Sequence, residues 1–209
     1  MCYYVDQKSS RRDVKIRFNI AVNDTGNFYE GMFVRGFDHP NLPIITNNNS
    51  DFVTTDATWG LIPSWAKDDS FQKKKTLNAR IESIHTKPSY KNITSNRCLI
   101  ISTGFYEWRW LDVKGTKKEK YFISSQIDEI FCFAGLYDNW VNPLTGVNFK
   151  TFTMVTTAAN ELMRYVHNHK QRMPIILKRE DELSWLDPSK NISDFALPYE
   201  SKIIAFPTT

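Results

Sequence analysis

Hydrophobic positions along this chain recur mostly every second residue, or run unbroken for a few residues; helical three-to-four spacing is brief. "RCLIIS" is a continuous apolar run from Cys98 and predicts a strand buried on both faces. Beyond Gly104 the pattern alternates, with Phe105, Glu107 and Arg109 opposite Tyr106, Trp108 and Trp110. "TLNARIES" alternates too: Leu77, Ala79 and Ile81 share one face, and Asn78, Arg80 and Glu82 the other. "EIFCFAGLYDNW" and "FKTFTMVTT" predict two further strands, and "DVKGTKKE" a hairpin turn around Gly115. Asn47 to Ser50 form a short polar loop. Thr157 is a candidate N-cap for a helix over "AANELMRYVHN", where Leu162, Tyr165 and Val166 follow helical spacing, and "EDELSWLD" predicts a second short helix. Short strands with a few short helices predict an α+β fold with a mixed, barrel-like sheet at its centre, as a single domain over residues 1–209.

Composition narrows the class. At 209 residues with 41% hydrophobic and 24% charged positions, the chain can bury a sizeable core and reads as globular. No apolar run approaches the ~20 residues needed to span a bilayer, and the first thirty residues lack a secretory pattern. A protein without membrane association is expected: cytoplasmic, nucleoid-associated in a bacterium, nuclear in a eukaryote. Cys2, Cys98 and Cys132 have no CxxC spacing, which argues against a disulfide framework and a cysteine metal site. Cys98 and Cys132 lie in apolar runs and are expected in the core. No cofactor or metal is expected.

Charge leaves nucleic acid open as a partner. The formal net charge of +4 is mild, but basic residues cluster at Lys73, Lys74, Lys75 and Arg80, and again at His167, His169, Lys170 and Arg172. Aromatics make up 14% of the chain, and several fall near these clusters. Stacking rings beside a positive groove suit single-stranded nucleic acid; solvated charged faces are the plainer reading.

Candidate chemistry begins at the second residue. If Met1 is removed, Cys2 carries an α-amine and a thiol on adjacent carbons, titrating near ~8 and ~8.5 when unperturbed. Both groups can then be nucleophiles close to neutral pH. Glu107, between Tyr106 and Trp108, is either an acid raised by desolvation into the neutral range or an exposed carboxylate paired with Arg109. His167 follows a helix, and His169 has an equal physical claim. Trp65 lies in an apolar stretch, where a core ring is the plain expectation.

"MC" at the start, "WGLIPSW" (59–65), "NARIES" (78–83), "RCLIISTGFYEW" (97–108) and "VHNHKQRMPIIL" (166–177) occur in the order of the SOS-response-associated peptidase (SRAP) family, also called abasic-site processing proteins, and the chain resembles it over nearly its whole length. The resemblance implies that Met1 is removed autocatalytically. Mature Cys2 would then attack the ring-opened aldehyde of an abasic site in single-stranded DNA and form a covalent DNA–protein crosslink. That link is a five-membered thiazolidine that its nitrogen and sulfur close on one carbon, where a lysine would stop at the imine and an internal cysteine at a hemithioacetal. It further implies that Asn78 orients the Cys2 amine, that Glu107 moves protons, and that His167 protonates the opened sugar oxygen and assists reversal. Arg80 and Arg172 match phosphate-contacting positions, and Trp65 becomes a candidate to stack beside the lesion. A monomer is expected, with abasic single-stranded DNA as its partner and a lyase-type activity besides self-processing.

Departures are visible. Many members open Met-Cys-Gly-Arg, whereas Tyr3 and Tyr4 stand here, so another cation must supply that contact. The histidine motif carries extra residues between His167 and Arg172, which keeps His169 open. The chain ends at "IIAFPTT", where members usually continue with a polar tail. The alternative activity is an N-terminal-nucleophile cysteine hydrolase acting on a small amide or peptide; a module that only grips phosphate is a third reading.

Overall fold

The computed structural model describes residues 2–22, 28, 31–69 and 73–208; Met1, the residue whose removal is at issue, lies outside them. Among the described residues thirteen strands dominate: Tyr4–Gln7 (β1), Ala21–Val22 (β2), Gly31–Arg35 (β3), Asn41–Thr46 (β4), Asn49–Trp59 (β5), Asn78–Arg80 (β6) and Arg97–Ser102 (β7) are followed by Gly104–Trp110 (β8), Lys118–Ser125 (β9), Phe131–Val141 (β10), Asn148–Ala158 (β11), Arg172–Pro174 (β12) and Ile203–Thr208 (β13). Three helices accompany them: Arg11–Phe18 (α1), Glu161–Val166 (α2) and Glu182–Leu186 (α3).

The strands form two sheets. An eight-stranded sheet runs β12-β11-β10-β7-β4-β5-β2, with β6 paired to β11. An additional parallel pairing of β11 with β5 closes β11, β10, β7, β4 and β5 into a ring. The expected mixed, barrel-like core is therefore present, and the fold is α+β. The second sheet, antiparallel throughout, runs β13-β9-β8-β1-β3.

Why "RCLIIS" is apolar without alternation follows from what covers it. Cys98 and Ile100 join a core shared with Val5, Phe105 and Ile123 of the five-stranded sheet. Leu99 and Ile101 join a second core with Val14 of α1 and Trp185 of α3. A strand packed on both faces has no polar side to offer. β10 divides its residues the same way, Phe131 and Phe133 to the first core and Cys132 and Ala134 to the second. Cys98 and Cys132 are buried free thiols, as expected.

Several boundaries differ from expectation. Asn49 and Ser50, expected in a polar loop, already belong to β5. The alternation predicted through Glu82 stops at Arg80, because Ile81–Ser83 turn into a short 3-10 helix. Thr157 is not a cap: it is still in β11, paired with Met173, and Asn160 caps α2 by accepting from the Met163 amide at 2.9 Å. Helix α1 carried no apolar period that announces it. It is fixed by its start, where Ser10 and Asp13 exchange backbone hydrogen bonds as a capping box. No described helix is long and apolar enough to cross a membrane.

Candidate functional site

Strand β1 is held on both edges, by β8 and β3, with Tyr4 opposite Tyr106 on one side and Arg35 on the other. That pairing anchors the start of the chain, which would otherwise fray. Cys2, just before β1, is fully buried in the first core. Its carbonyl accepts a 2.8 Å hydrogen bond from Asn78 Nδ2, and its thiol lies 3.7 Å from the Tyr4 carbonyl oxygen.

Asn78 reaches this point because β6 runs parallel to β11, with Asn78 opposite Met154. Its backbone carbonyl accepts from the Tyr90 hydroxyl at 3.3 Å. Its Oδ1 is buried and accepts no hydrogen bond from any described residue. A buried amide oxygen left open in this way is set to receive a donor.

Glu107 arrives by the period of β8. It falls on the same side of the strand as Phe105, whose ring is in the core, so the alternation that buries Phe105 buries a carboxyl two residues later. Burial pushes its pKa up to about 7. Arg109, the alternative partner, instead donates to the Tyr165 carbonyl at 2.6 Å and lies over the Tyr165 ring. The reading of Glu107 as an exposed, Arg109-paired carboxylate is thereby corrected: it is only 6% exposed.

His167 ends α2, its amide donating to the Met163 carbonyl at 2.7 Å. Its Nδ1 lies 2.7 Å from the Arg172 carbonyl oxygen and its Nε2 lies 3.8 Å from Glu107 Oε2. Burial lowers the imidazole to about 4. Around pH 5 to 6 both groups are therefore neutral, and the contact is an acid beside a base rather than an ion pair. His169 stacks at 3.6 Å on the Trp110 ring and lines the same cleft from there. Asn168, between them, bonds the backbone of Trp110 in both directions at 3.0 and 2.9 Å, which clips this turn to β8.

Cys2 feels the same carboxyl. Burial raises its thiol well above the usual range, and the charge of Glu107 raises it further. Cys2, Asn78, Glu107 and His167 thus meet at one place. It opens to solvent through a cleft of about 360 Å³ whose wall includes Tyr3, Tyr4, Glu107, Trp108, His167 and Lys170. Larger hollows of about 610 and 900 Å³ lie beside α1 and beside the start of α2, and one of about 430 Å³ lies against Trp110 and His169; none of these is lined by Glu107 or His167. Volume and chemistry point to different places, and the titratable cluster decides.

The DNA-contact candidates separate. Arg80 is exposed, close enough to Tyr3 to offset part of the rise that burial and Glu107 impose on its hydroxyl. Trp65 is 52% exposed on the loop after β5, so its reading as a core ring is corrected; Trp59 and Trp140 fill the interior there instead. Arg172 is buried, and its fork binds both oxygens of Glu82 at 2.6 and 2.9 Å and the Thr156 carbonyl at 2.8 Å. A phosphate would have to displace Glu82. Lys118, on the cleft wall, is a cation at the mouth that the sequence patterns did not single out, whereas Lys170 beside it belongs to the basic cluster that they did. Glu82 and Tyr90 were likewise invisible as partners, since their roles come from segments about ninety and twelve residues away. Among the described residues no group of three or more His, Cys, Asp or Glu side chains could hold a metal ion.

The chain is 41% identical over 156 residues to the abasic site processing protein YoqW of Bacillus subtilis, a stretch covering 74% of this chain and 66% of that one. It is 32% identical over 186 residues to the abasic site processing protein HMCES of Gallus gallus, covering 76% of this chain and 53% of that one. The matched stretch thus spans less than two thirds of either relative. A crystal structure of a protein from Bacteroides thetaiotaomicron superposes with a TM-score of 0.89 at 34% identity, covering all of this chain and 92% of the other. Another, from Bordetella bronchiseptica, shares the fold at 22% identity and a TM-score of 0.78. The model of the SOS response associated peptidase (SRAP) family matches residues 1–207, and this chain belongs to that family.

Proposed function

We propose that this protein processes abasic sites: it releases its own Met1 and then joins Cys2 covalently to the aldehyde of an abasic site in single-stranded DNA. The observation that carries the reading is the placement of Cys2, its carbonyl held by Asn78 and its thiol within the field of Glu107, behind a cleft walled by Glu107 and His167. Family membership and the names of the relatives support it.

The order of bond formation follows from the thiol. Burial and Glu107 keep sulfur protonated, so nitrogen is the group that attacks first. The amine adds to the aldehyde carbon, and loss of water leaves an imine. Departing hydroxide needs a proton, and a carboxyl titrating near 7 holds one at neutral pH and can retrieve it afterwards. Sulfur then adds to the imine carbon while its proton passes to nitrogen, closing the thiazolidine. Atoms balance with one water released. Met1 release is the hydrolysis of one amide bond, for which the same carboxyl can activate water in its ionised form.

Asn78 Oδ1, buried with no described donor, is the acceptor the new amine would find. Arg80 and the lysines at the mouth supply sequence-independent phosphate attraction, and exposed Trp65 offers a ring.

The test joins intact mass to crosslinking. A mass short by one methionine and a heat-stable adduct with a single-stranded oligonucleotide carrying one abasic site are expected. Cys2→Ser should give at most a labile imine, and Cys2→Ala none. An unchanged adduct from Cys2→Ala overturns the proposal. Many cleaved amide molecules per protein, in place of one adduct, would return the hydrolase reading.

A further inference from the structure

The inner face of the five-stranded sheet is core, but its outer face is not what a solvated sheet requires. Reading across the register, Tyr4 stands opposite Tyr106, Tyr106 opposite Phe122, and Phe122 opposite Phe206, one ring from each of four adjacent strands. Phe33 of the fifth strand stacks on Tyr4 with ring centres 4.8 Å apart and meets Tyr106 at 5.0 Å. Trp108 closes on Tyr4 edge-on at 4.8 Å. Phe33 and Phe206 are both more than two-fifths exposed. Solvent-facing strand positions are ordinarily polar.

Cations are set over these rings. Lys120 lies 5.3 Å from the Phe33 ring centre and 5.6 Å from that of Tyr106, and Lys8 lies 5.4 Å from Phe122. The acidic side chain on the same side of the β1 pleat is Asp6, and it is fully buried, bound to Thr103 at 2.9 Å and 3.3 Å from Lys8. From Tyr4 to Lys120 the face presents rings and positive charge; Asp13, Asp128 and Glu129 gather with Lys8 and Phe122 around the hollow beside α1. The face is also continuous with the candidate site, because Tyr4, Trp108 and Lys118 line the cleft as well.

We infer that this outer face is a stacking track for the single strand running from the cleft, taking unpaired bases on Tyr106, Phe33 and Phe122 while Lys120 and Lys8 meet the phosphates. Rings give no directional hydrogen bonds to base edges, so the track is indifferent to sequence. Strands spaced about 4.8 Å apart make the five-strand width about 20 Å, room for a few nucleotides, as on other sheets whose aromatics stack two or three bases. Charge complementarity and continuity with the cleft choose a nucleic-acid strand over a protein partner. The inference rests on the proposed function for what enters the cleft, but not on the covalent step.

The experiment separates the two. Anisotropy with undamaged oligothymidylates of about four and about fifteen nucleotides reports the track. Crosslinking of the shorter length carrying one abasic site reports the chemistry. Phe33 adopts a left-handed backbone (φ 59°), so Phe33→Asn removes the ring where asparagine is tolerated. Phe33→Asn and Tyr106→Leu are each expected to weaken the longer oligonucleotide about tenfold. The shorter one and its crosslinking should be unaffected. Lys120→Gln, which tests the track without touching a ring, should lower the salt slope for the longer strand by about one ion. Wild-type affinity in all three variants, or equal weakening of both lengths, overturns the inference. So does a dimer in light scattering that Phe33→Asn dissolves, since the face would then belong to a second copy. A Cys2→Ala protein that binds the long strand normally keeps this inference whatever becomes of the crosslink.

Discussion

His167 donates its Nδ1 proton to the carbonyl of Arg172, 2.7 Å away, and this leaves Nε2 as the nitrogen directed at Glu107, 3.8 Å distant. A carbonyl can only accept, so the tautomer of the neutral ring is fixed by its backbone partner. Burial holds the imidazole near 4 and the carboxyl near 7. Between about pH 4 and pH 7 the exchangeable proton of this pair therefore sits on Glu107, with a basic nitrogen facing it.

That assignment predicts the pH dependence of crosslinking. The rate constant for adduct formation should show an inflection near pH 7 belonging to Glu107. Glu107→Gln, close in shape but unable to exchange a proton, should erase the inflection and slow the adduct on the order of 10²-fold. Quenched time courses on denaturing gels between pH 5 and 8.5 decide it. An inflection surviving in the variant assigns the proton elsewhere.

Stability should carry the same signature. Glu107 is raised on folding, so its contribution is present below the unfolded value of ~4.3 and is lost as pH climbs through about 7. His167 is lowered, so its contribution is present above ~6.5 and is lost as pH falls through about 4. Between roughly 4.5 and 6.5 the slopes oppose and nearly cancel. Denaturant midpoints should be level across that window. His167→Asn keeps a donor for the Arg172 carbonyl but removes the titration, and should expose the Glu107 slope, up to about 1.4 kcal/mol lost per pH unit on rising pH. A variant as level as wild type would mean Glu107 is not raised by burial.

Much of this was legible in the chain because local period and burial agree. Unbroken "RCLIIS" announced a doubly covered strand, and the alternation after Gly104 put Glu107 on the side of Phe105, where desolvation follows. What could not be read was anything set by pairing distant segments. Nothing local says that β11 closes on β5, or that Glu82 occupies the fork of Arg172. His167 and His169 could not be told apart in the sequence; in the fold His167 faces Glu107 while His169 stacks on Trp110. Thr157 looked like a cap because its hydroxyl suits one, yet strand pairing with Met173 extends β11 beyond it and moves the cap to Asn160.

Asn78 acts by polarity as well as shape. Its Nδ2 donates to the buried Cys2 carbonyl, so Asn78→Ala strands an acceptor at a cost of about 1–3 kcal/mol. Asn78→Asp keeps the volume but sets carboxylate oxygen against carbonyl oxygen. The aspartate variant should therefore be both less stable and slower to crosslink than the alanine variant. Thermal melts and adduct rates measured on the two together test this; the opposite order would mean that only the volume of Asn78 matters.

The fork of Arg172 admits a sharper comparison. Its guanidinium is tied to Glu82 and to Thr156, and its carbonyl fixes His167, so the chain from Glu82 to the imidazole is continuous. Glu82 is half exposed, and water can replace part of what Glu82→Gln removes, so a loss of only about 1 kcal/mol is expected. Arg172 is buried, and Lys cannot reproduce a bidentate fork, so Arg172→Lys should cost more, about 3 kcal/mol. If both work by holding His167, each should slow crosslinking roughly tenfold, and the double variant little more than either alone. A phosphate contact gives a different pattern: Arg172→Met would lower the salt slope of oligonucleotide binding by about one ion, and Glu82→Gln would leave it unchanged or steeper. Equal salt slopes with non-additive rates assign Arg172 to positioning; a lost ion in Arg172→Met alone assigns it to the strand.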